Sequence, residues 1–323
     1  MSGRDTGIPH GTTPAAPLGS APASSPTVRA EVLLEALPYI QRFRGAVVVV
    51  KYGGNAMVDP ALARAVAADV VLLRAVGMRP VLVHGGGPQI SDLMTRLGKE
   101  PEFRDGLRVT DAETVDIARM VLVGKVNRDI VAAVNVHGPV AVGLSGEDAG
   151  LILAGARNPE LGFVGDVRSV NPTILERLLA EHLIPVVSTI GSDLSGQAYN
   201  INADTVAGAI AEAIGAEKVV FLTDVPGLLA DPDDPASLIG RITAPELQTM
   251  IDDGRLRDGM LPKIAAAVHA VRNGVTSAHL LDGRVPHVVL LELFSDEGIG
   301  TMITAGERPG VVSGGDTGGV VPA

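Results

Sequence analysis

Two glycine-rich segments, each directly after an apolar run, are the first features of this sequence that could do chemistry. The first, Lys51-Tyr-Gly-Gly-Asn55, follows 47–50, and the second, His84-Gly-Gly-Gly-Pro-Gln89, follows 81–83. Glycines clustered in a loop expose backbone N–H groups, which favour anions. Neither segment is a P-loop or a dinucleotide-binding fingerprint, because the required glycine and lysine spacings are absent. Taken alone, glycine clusters are more simply explained as tight turns.

Lysine is scarce, and two of the lysines stand where an ammonium group is unusual. Only five of the 26 basic residues are Lys, so a retained Lys suggests a need for its compact charge. Lys51 closes an apolar strand, where burial of its ammonium is costly, and there it is suited to hold a phosphoryl group. Lys263 falls in the first turn of a predicted helix, whose N-terminus also favours anions. The alternatives are a strand-end lysine that reaches solvent and a solvated helix lysine.

Two further polar segments precede predicted helices. Arg108, in Asp105-Gly-Leu-Arg108, could clamp a carboxylate with two parallel hydrogen bonds, although a surface salt bridge explains a single Arg as well. Asn200-Ile-Asn202-Ala-Asp204 opens a helix, and Asn and Asp are ordinary N-caps. Three amide or acid groups in five residues make a role limited to capping less satisfactory.

Composition excludes several classes of protein. The chain of 323 residues has a net charge of −11 and no basic runs, which argues against nucleic acid or an anionic membrane as a partner. It has no Cys, so disulfides, thiolate catalysis and Cys-ligated zinc are excluded. The seven His have no metal-binding spacing, and only His84 adjoins a glycine loop. No apolar run is long enough for a transmembrane helix, and we expect a soluble cytoplasmic protein.

The elements that must position these residues are short apolar strands alternating with helices. This alternation predicts βαβ units and a mainly parallel sheet with both faces covered, whose ligands bind beyond the carboxyl ends of the strands. Residues 152–170 are predicted to form hairpins. The predicted strands are 46–50, 80–83, 139–142, 184–187, 219–222, 275–281 and 287–291, and the predicted helices are 61–76, 112–136, 172–181, 204–214 and 261–272.

A helical pattern over 28–44, which Pro38 should kink, precedes the first strand and needs a cover for its apolar stripe. That cover is either the chain's own core or another subunit. Residues 1–28 are nearly all Gly, Ala, Pro, Ser and Thr, and we predict a disordered leader there and a disordered tail at 306–323.

Taken together, the loops resemble the acetylglutamate kinases of the amino acid kinase family over residues 29–305. Six motifs carry the resemblance, in the family's order and spacing. They are Lys51-Tyr-Gly-Gly54-Asn, Val83-His-Gly-Gly-Gly-Pro88, Asp105-Gly-Leu-Arg108-Val-Thr, Asn200-Ile-Asn-Ala-Asp204, Leu222-Thr-Asp224-Val-Pro-Gly227 and Gly259-Met-Leu-Pro-Lys263.

The resemblance implies a three-layer αβα sandwich with a mainly parallel sheet and a kinked N-terminal helix. Residues 29–44 would form an oligomerisation helix, 45–215 a lobe for the amino-acid substrate and for dimerisation, and 216–305 a lobe for ATP and arginine. The implied reaction is ATP-dependent phosphorylation of the γ-carboxylate of N-acetyl-L-glutamate, the second step of arginine biosynthesis. Mg²⁺ would arrive with ATP, with no metal site of the protein's own.

Residue roles follow by motif position. The substrate-binding residues would be Gly86, Gly87, Arg108 and Asn200, with Arg108 on the α-carboxylate. Lys51 and Lys263 would stabilise the phosphoryl group in transit, with Gly54 donating an N–H and Asp204 orienting both lysines. The nucleotide would lie near Gly53, Asp224 and Gly227. Physical chemistry agrees, because an ionised carboxylate needs no general base and the task is to align two anions and shield their charge.

The resemblance is to the arginine-inhibited branch, in which the N-terminal helices interlace dimers into a homohexamer, a trimer of dimers. The arginine site would comprise Tyr39, His279, Glu292, Gly298 and Gly300, with Glu292 on the guanidinium. The two glycines are also explained as ordinary loop glycines. The sequence does not reveal whether a nitrogen-signalling protein binds.

Other functions stay open on this sequence. Aspartate, glutamate, uridylate, carbamate and acetylaminoadipate kinases are the alternatives with a related fold, and pocket length cannot be read from the residues. A non-catalytic effector-binding sensor is the alternative from another class, and it would require a lost catalytic group.

Overall fold

The structure, a computed structural model, describes residues 25–104, 106–231, 233–234, 236–256, 260–295 and 298–306, and of Asn55 only the backbone. The predicted leader up to residue 24 and the predicted tail from residue 307 lie outside the described residues. The chain divides into two compact units between Pro38 and Tyr39.

The first unit contains most of helix α1 (Pro26–Phe43), which begins two residues before the predicted pattern and includes Pro38. This helix carries the consecutive apolar residues Val32, Leu33 and Leu34.

The second unit holds fourteen strands and nine further helices among the described residues. The strands are β1 (Val47–Tyr52), β2 (Arg79–His84), β3 (Phe103–Arg104), β4 (Leu107–Arg108), β5 (Ala141–Ser145), β6 (Ile152–Ala156), β7 (Val164–Val170), β8 (Ile184–Ser188), β9 (Ile190–Ser192), β10 (Ala198–Ile201), β11 (Lys218–Thr223), β12 (Arg241–Thr243), β13 (Ser277–Asp282) and β14 (Thr301–Thr304). The helices are α2 (Pro60–Ala75), α3 (Gly87–Arg96), α4 (Ala112–Arg119), α5 (Asn127–Asn135), α6 (Thr173–Ala180), α7 (Ala203–Ala213), α8 (Ala244–Asp252), α9 (Leu261–Arg272) and α10 (Val288–Leu293).

One eight-stranded sheet runs through this unit in the order β12-β14-β13-β11-β1-β2-β8-β5. Every pair in it is parallel except β13 with β14. Val47 and Val49 pack into one hydrophobic core and Val48 and Val50 into another, because successive side chains of a strand point to opposite faces. The prediction of a three-layer, mainly parallel fold is confirmed.

Four further strands form a small closed barrel in the order β10-β7-β6-β9. Along the chain, these strands lie on either side of β8, a strand of the large sheet. Its β6 and β7 pair antiparallel, as the predicted hairpin over 152–170 requires. Within the barrel β10 pairs with β7 and β9, and α7 begins two residues after β10 ends.

The long helix predicted over 112–136 contains a π-helical segment. Asp111 caps α4 by accepting from the Thr114 amide, and the helical run then passes through the π segment Met120–Val126 into α5. The sequence does not predict this widened turn, because the apolar pattern of the helix continues through it without a break. Leu122 and Val126 of the segment pack against Gly86, where an added Cβ would lie 2.6 Å from Leu122 Cδ2. The π segment therefore borders the second glycine loop.

The strand predicted at 287–291 is wrong, because residues 288–291 belong to helix α10 and His287 is its N-cap residue. A short apolar run fits either element by its pattern, and tertiary contacts decide between them. Here the buried carboxylate of Asp69 in α2 lies 2.6 Å from Nδ1 of His287, the N-cap residue of α10. The described part of the chain holds no helix with the length and hydrophobicity needed to cross a bilayer.

Candidate active site

Three neighbouring strands end at the same edge of the sheet, and the loops that follow them carry candidate active-site residues. β11, β1 and β2 are adjacent and parallel, and they end at Thr223, Tyr52 and His84. The loops that follow them are therefore neighbours at the carboxyl edge, the usual ligand-binding edge of such sheets.

The carboxylate of Asp204 bridges the two candidate lysines. Its Oδ1 lies 3.1 Å from Lys51 Nζ and its Oδ2 lies 3.5 Å from Lys263 Nζ. Asn202 holds this acid in place, because its side chain caps α7 by accepting from the Asp204 and Thr205 amides. The Lys51 and Asp204 side chains are 9% and 5% exposed, whereas Lys263 is 24% exposed. The site thus joins one buried and one more accessible ammonium group.

The two glycines after Lys51 are needed for space and for conformation. A Cβ on Gly53 would lie 2.8 Å from Lys51 Nζ, so a side chain there would crowd the ammonium group. Gly54 has φ +66°, which favours glycine, and a Cβ there would lie 2.6 Å from Asp224 Oδ1. The loop after β1 therefore contacts the loop after β11 at the carboxyl edge of the sheet.

A cavity of about 200 Å³ gathers all four predicted substrate-binding residues, Gly86, Gly87, Arg108 and Asn200. Arg108 comes from the β3–β4 hairpin, Gly86 lies between β2 and α3, and Gly87 is the first residue of α3. Sequence reasoning missed the apolar wall of this cavity, which is formed by Phe103, Leu107, Leu122 and Val164; Thr189 also lines it. No sequence signal pointed to these residues, which come from separate elements.

Arg108 is a buried cation that uses only part of its hydrogen-bonding capacity. Its Nη2 donates to Gly87 O at 2.9 Å and to Ser91 Oγ at 2.8 Å, and its guanidinium lies 4.7 Å from the centre of the Phe103 ring. Burial lowers its pKa. No carboxylate among the described residues lies within ion-pairing distance of it, and Asp105 is outside them. Such a site has room for an anionic ligand at the guanidinium.

Of the predicted nucleotide-binding residues, Asp224 and Gly227 lie in the loop after β11, whereas Gly53 lies after β1. Gly227 packs against Thr301, whose Oγ1 accepts from the Leu228 amide at 2.8 Å. Beside it is an apolar cavity of about 70 Å³, lined by Val225, Gly227, Leu228, Leu229, Arg255, Leu256 and Met260. Gly259, in the motif before Lys263, lies outside the described residues.

A larger cavity, of about 550 Å³, is lined by four of the five predicted arginine-site residues, Tyr39, His279, Glu292 and Gly298. Gly300 is not among its lining residues and packs on β13, where a Cβ would meet Leu280 O. Asp296 and Glu297 of the same segment lie outside the described residues.

A row of hydrogen-bonded side chains lines part of this larger cavity. Glu292 Oε1 lies 2.7 Å from His279 Nδ1, and His279 Nε2 contacts Ser277 Oγ at 2.9 Å and Lys218 Nζ at 3.2 Å. Burial raises the pKa of Glu292, but hydrogen bonds from His279 and the Ile299 amide bring it below its usual value. Burial lowers the pKa of both Lys218 and His279.

Sequence reasoning missed Lys218 and Ser277. The scarcity of Lys was a usable signal for Lys218, which begins an otherwise apolar strand just as Lys51 lies near the end of one. Ser277 gave no signal, because a single Ser at a strand start is ordinary. Within the described residues, no group of three or more His, Asp or Glu side chains could hold a metal ion.

Comparison with known proteins gives consistent matches. The sequence profile of the amino acid kinase family matches residues 46–282. An acetylglutamate kinase from Symbiobacterium thermophilum is 54% identical over 285 residues, covering 85% of this chain and 97% of that protein. The chloroplastic acetylglutamate kinase of Arabidopsis thaliana is 51% identical over 295 residues, covering 91% of this chain and 84% of that protein.

Among solved structures, the chain resembles an N-acetylglutamate synthase from Neisseria gonorrhoeae complexed with coenzyme A and L-arginine. The TM-score is 0.74 at 27% identity, and the match covers 85% of this chain. It covers 65% of the synthase chain, so that protein has a further portion without a counterpart in the match.

Proposed function

The chain belongs to the amino acid kinase family, and we propose that it transfers the γ-phosphoryl group of ATP to the γ-carboxylate of N-acetyl-L-glutamate, as the second step of arginine biosynthesis. The observation that carries this proposal is the convergence of Lys51 and Lys263 on one buried carboxylate, Asp204. That arrangement suits the transfer of an anionic group and is hard to explain as surface charge. The acetylglutamate kinases at 51–54% identity support the choice of acceptor.

In this function the cavity of about 200 Å³ holds the acceptor. The buried guanidinium of Arg108 binds its α-carboxylate, since Arg presents paired N–H groups that match a carboxylate. Gly86 and Gly87 allow close approach of the backbone, and Asn200 supplies a polar group to the same cavity.

The transfer itself needs positioning and charge stabilisation. The acceptor carboxylate is ionised at neutral pH and attacks without a general base. Lys51 and Lys263 shield the charge of the phosphoryl group in transit, while the Gly54 amide donates to it and Asp204 keeps both lysines oriented. A preorganised donor of this kind contributes on the order of 100-fold in rate.

ATP lies beside Gly53, Asp224 and Gly227, so residues 45–215 form the acceptor lobe and 216–305 the nucleotide lobe. Mg²⁺ neutralises phosphate charge when it arrives with ATP. Such an ion is held mainly by phosphate oxygens and water.

Trapping of the acyl phosphate with hydroxylamine tests this function. ATP-dependent hydroxamate formation is measured with acetylglutamate, glutamate, aspartate and acetylaminoadipate. We expect turnover with acetylglutamate and at least tenfold lower kcat/KM with the others. Preference for another acceptor would replace the substrate assignment, and no turnover with any acceptor would favour a non-catalytic sensor.

A second proposed function, feedback inhibition by arginine, is favoured by the larger cavity. Glu292 has a carboxylate on the floor of a 550 Å³ space that also contains Tyr39, His279 and Gly298, and a carboxylate is the natural partner of a guanidinium. The structurally similar synthase was solved with L-arginine, which supports this ligand. Suppression of turnover by arginine, but not by lysine or citrulline, is the expected result.

The remaining proposals concern assembly and location. Helix 29–44 joins dimers into a homohexamer, an idea supported by the apolar residues Val32, Leu33 and Leu34 in its sequence. Removal of residues 1–44 should then leave dimers by light scattering, and a truncated protein that still forms hexamers would refute it. A cytoplasmic location is tested by cell fractionation.

A further inference from the structure

His84 is a fully buried histidine that the proposed transfer does not use. It is the last residue of β2, directly before the glycine loop 85–87, and its side chain has no exposure to solvent. Both ring nitrogens have partners: Nδ1 lies 2.9 Å from Gly85 O, and Nε2 lies 3.0 Å from Asn127 Nδ2.

The surrounding groups determine which nitrogen carries the proton. Asn127 Nδ2 lies 2.8 Å from Val186 O, and because a carbonyl oxygen only accepts, this end of the amide must be its NH₂ group. The same NH₂ group then donates to His84 Nε2, so Nε2 is an acceptor. The proton therefore resides on Nδ1 and is donated to Gly85 O. Burial lowers the pKa of His84 to about 4, so the ring is neutral at pH 7.

Asn127 is itself held firmly. Its Oδ1 accepts from the guanidinium of Arg128, and both groups pack against Gly143, which leaves no room for a side chain there. The amide is thus fixed by an acceptor on one side and a cation on the other. A hydrogen-bonded chain runs from Arg128 through Asn127 and His84 to Gly85.

This row of hydrogen bonds ends at Gly85, and the peptide groups on both sides of Gly85 are hydrogen-bonded. The Gly85 carbonyl accepts from His84, and the Gly85 amide donates to Tyr52 O, one residue after Lys51. Further along the same loop, Gly87 O accepts from Arg108. The loop 85–87 is therefore tied to the lysine loop at one end and to the buried arginine at the other.

We propose that His84 is a positioning residue that fixes the acceptor-binding loop 85–87 through its Nδ1–H bond to Gly85 O. The inference rests on the proposed function for the identity of the acceptor, and on the geometry alone for the loop. Without this bond the peptide between Gly85 and Gly86 could rotate, and Gly86 and Gly87, which line the cavity, would no longer be held in one arrangement.

Two near-isosteric substitutions separate positioning from packing. In His84→Asn the side-chain NH₂ occupies the place of Nδ1 and keeps the donor to Gly85 O. In His84→Gln the amide reaches the place of Nε2, so it keeps the contact with Asn127 and loses the donor. Both remove the ring, so both lose packing and should lower Tm to a similar extent.

We expect His84→Gln to raise KM for acetylglutamate roughly tenfold, the effect of one lost hydrogen bond of about 1.4 kcal/mol, with KM for ATP within twofold of the wild type. His84→Asn should keep the acceptor KM within about threefold. Equal effects of the two variants, or effects that follow the loss of Tm, would assign His84 a purely structural role and overturn the inference.

Two readouts do not depend on activity. Hydrogen–deuterium exchange of the peptide spanning 81–93 should accelerate in His84→Gln and stay slow in His84→Asn. In the wild type, ¹⁵N shifts of labelled histidine should report an Nδ1–H tautomer for His84, and an Nε2–H tautomer contradicts the inference. A wild type that turns over no acceptor refutes the proposed function, while these two readouts still decide the role of His84.

Discussion

The Lys51 ammonium and the Asp204 carboxylate form a nearly buried ion pair of 3.1 Å, between the end of the central strand and the start of α7. Removing two charges from water is costly, and such a pair persists only where the fold holds both partners in place. Lys263 approaches the other carboxylate oxygen, so the acid balances two cations that would otherwise repel each other.

The first prediction concerns this acid. Asp204→Asn should lower kcat on the order of 100-fold, because both ammonium groups lose their orientation. It should also lower the free energy of unfolding by about 3 kcal/mol, since Lys51 is left buried and unpaired. Asp92→Asn, which removes an exposed carboxylate paired with Arg96, is the control for steady-state kinetics and urea unfolding. An Asp204→Asn enzyme with unchanged kcat would remove Asp204 from the site.

The second prediction compares two glycines with the same backbone conformation. Gly54 and Gly254 both have φ +66°, but a Cβ meets Asp224 at the first and nothing within 4 Å at the second. Both Ala variants should lose about 1 kcal/mol of stability from strain. Only Gly54→Ala should lower kcat/KM for ATP, by at least tenfold, because it displaces the Asp224 carboxylate. Equal kinetics in the two variants would show that the contact with Asp224 is unimportant.

The third prediction addresses the acceptor. Arg108→Lys should raise KM for acetylglutamate by 10- to 100-fold, on the order of 1.4 to 2.8 kcal/mol, because an ammonium cannot form paired hydrogen bonds with a carboxylate. KM for ATP should stay within twofold. Arg104→Lys, on the same hairpin but half exposed and paired with Glu102, is the matched control. A rise in KM for ATP alone would place Arg108 at the nucleotide instead.

The fourth prediction tests whether arginine binds in the cavity of about 550 Å³ that Glu292 lines. Glu292→Gln should raise the arginine concentration that half-inhibits the enzyme by at least tenfold, because the buried carboxylate is lost as a partner for the guanidinium. Titration calorimetry should show the same weakening of arginine binding. Glu212→Gln, which lies outside the lining of this cavity and contacts His269, should retain wild-type inhibition. If Glu292→Gln is inhibited normally, arginine binds elsewhere.

The fifth prediction is a pH dependence of stability. The pKa of His84 is lowered to about 4 from 6.5 by burial, with the charge of Arg128 acting in the same direction. Between these values the unfolded chain binds a proton that the native protein does not, so stability is lost as pH falls from 6.5 to 4. The loss is about 3 kcal/mol.

Burial raises the pKa of Asp69 to about 6, which changes stability with pH in the opposite direction. The quantity to measure is therefore the difference in free energy of unfolding between the wild type and His84→Asn, obtained by urea unfolding. That difference should shrink toward pH 4, and a constant difference contradicts the assignment.

Much of the fold could be predicted because its local signals agree. Continuous apolar runs such as that of β1 mark strands buried on both faces, and helix α9 begins and ends where its periodicity does. The pattern failed where local signals were ambiguous. Residues 287–291 fit a strand as well as a helix, and the π segment interrupts a helical pattern without changing it.

The candidate residues could be named from the chain alone, because a lysine at the end of an apolar strand and glycines beyond it are costly unless a site needs them. How these residues act together depends on the folded structure. It places Asp204 between lysines from two distant segments, leaves Arg108 buried with hydrogen-bonding capacity to spare, and joins His84 through Asn127 to Arg128. These relationships depend on side chains that are far apart along the chain, and the packing of β1, β2, α5, α7 and α9 brings them within hydrogen-bonding distance.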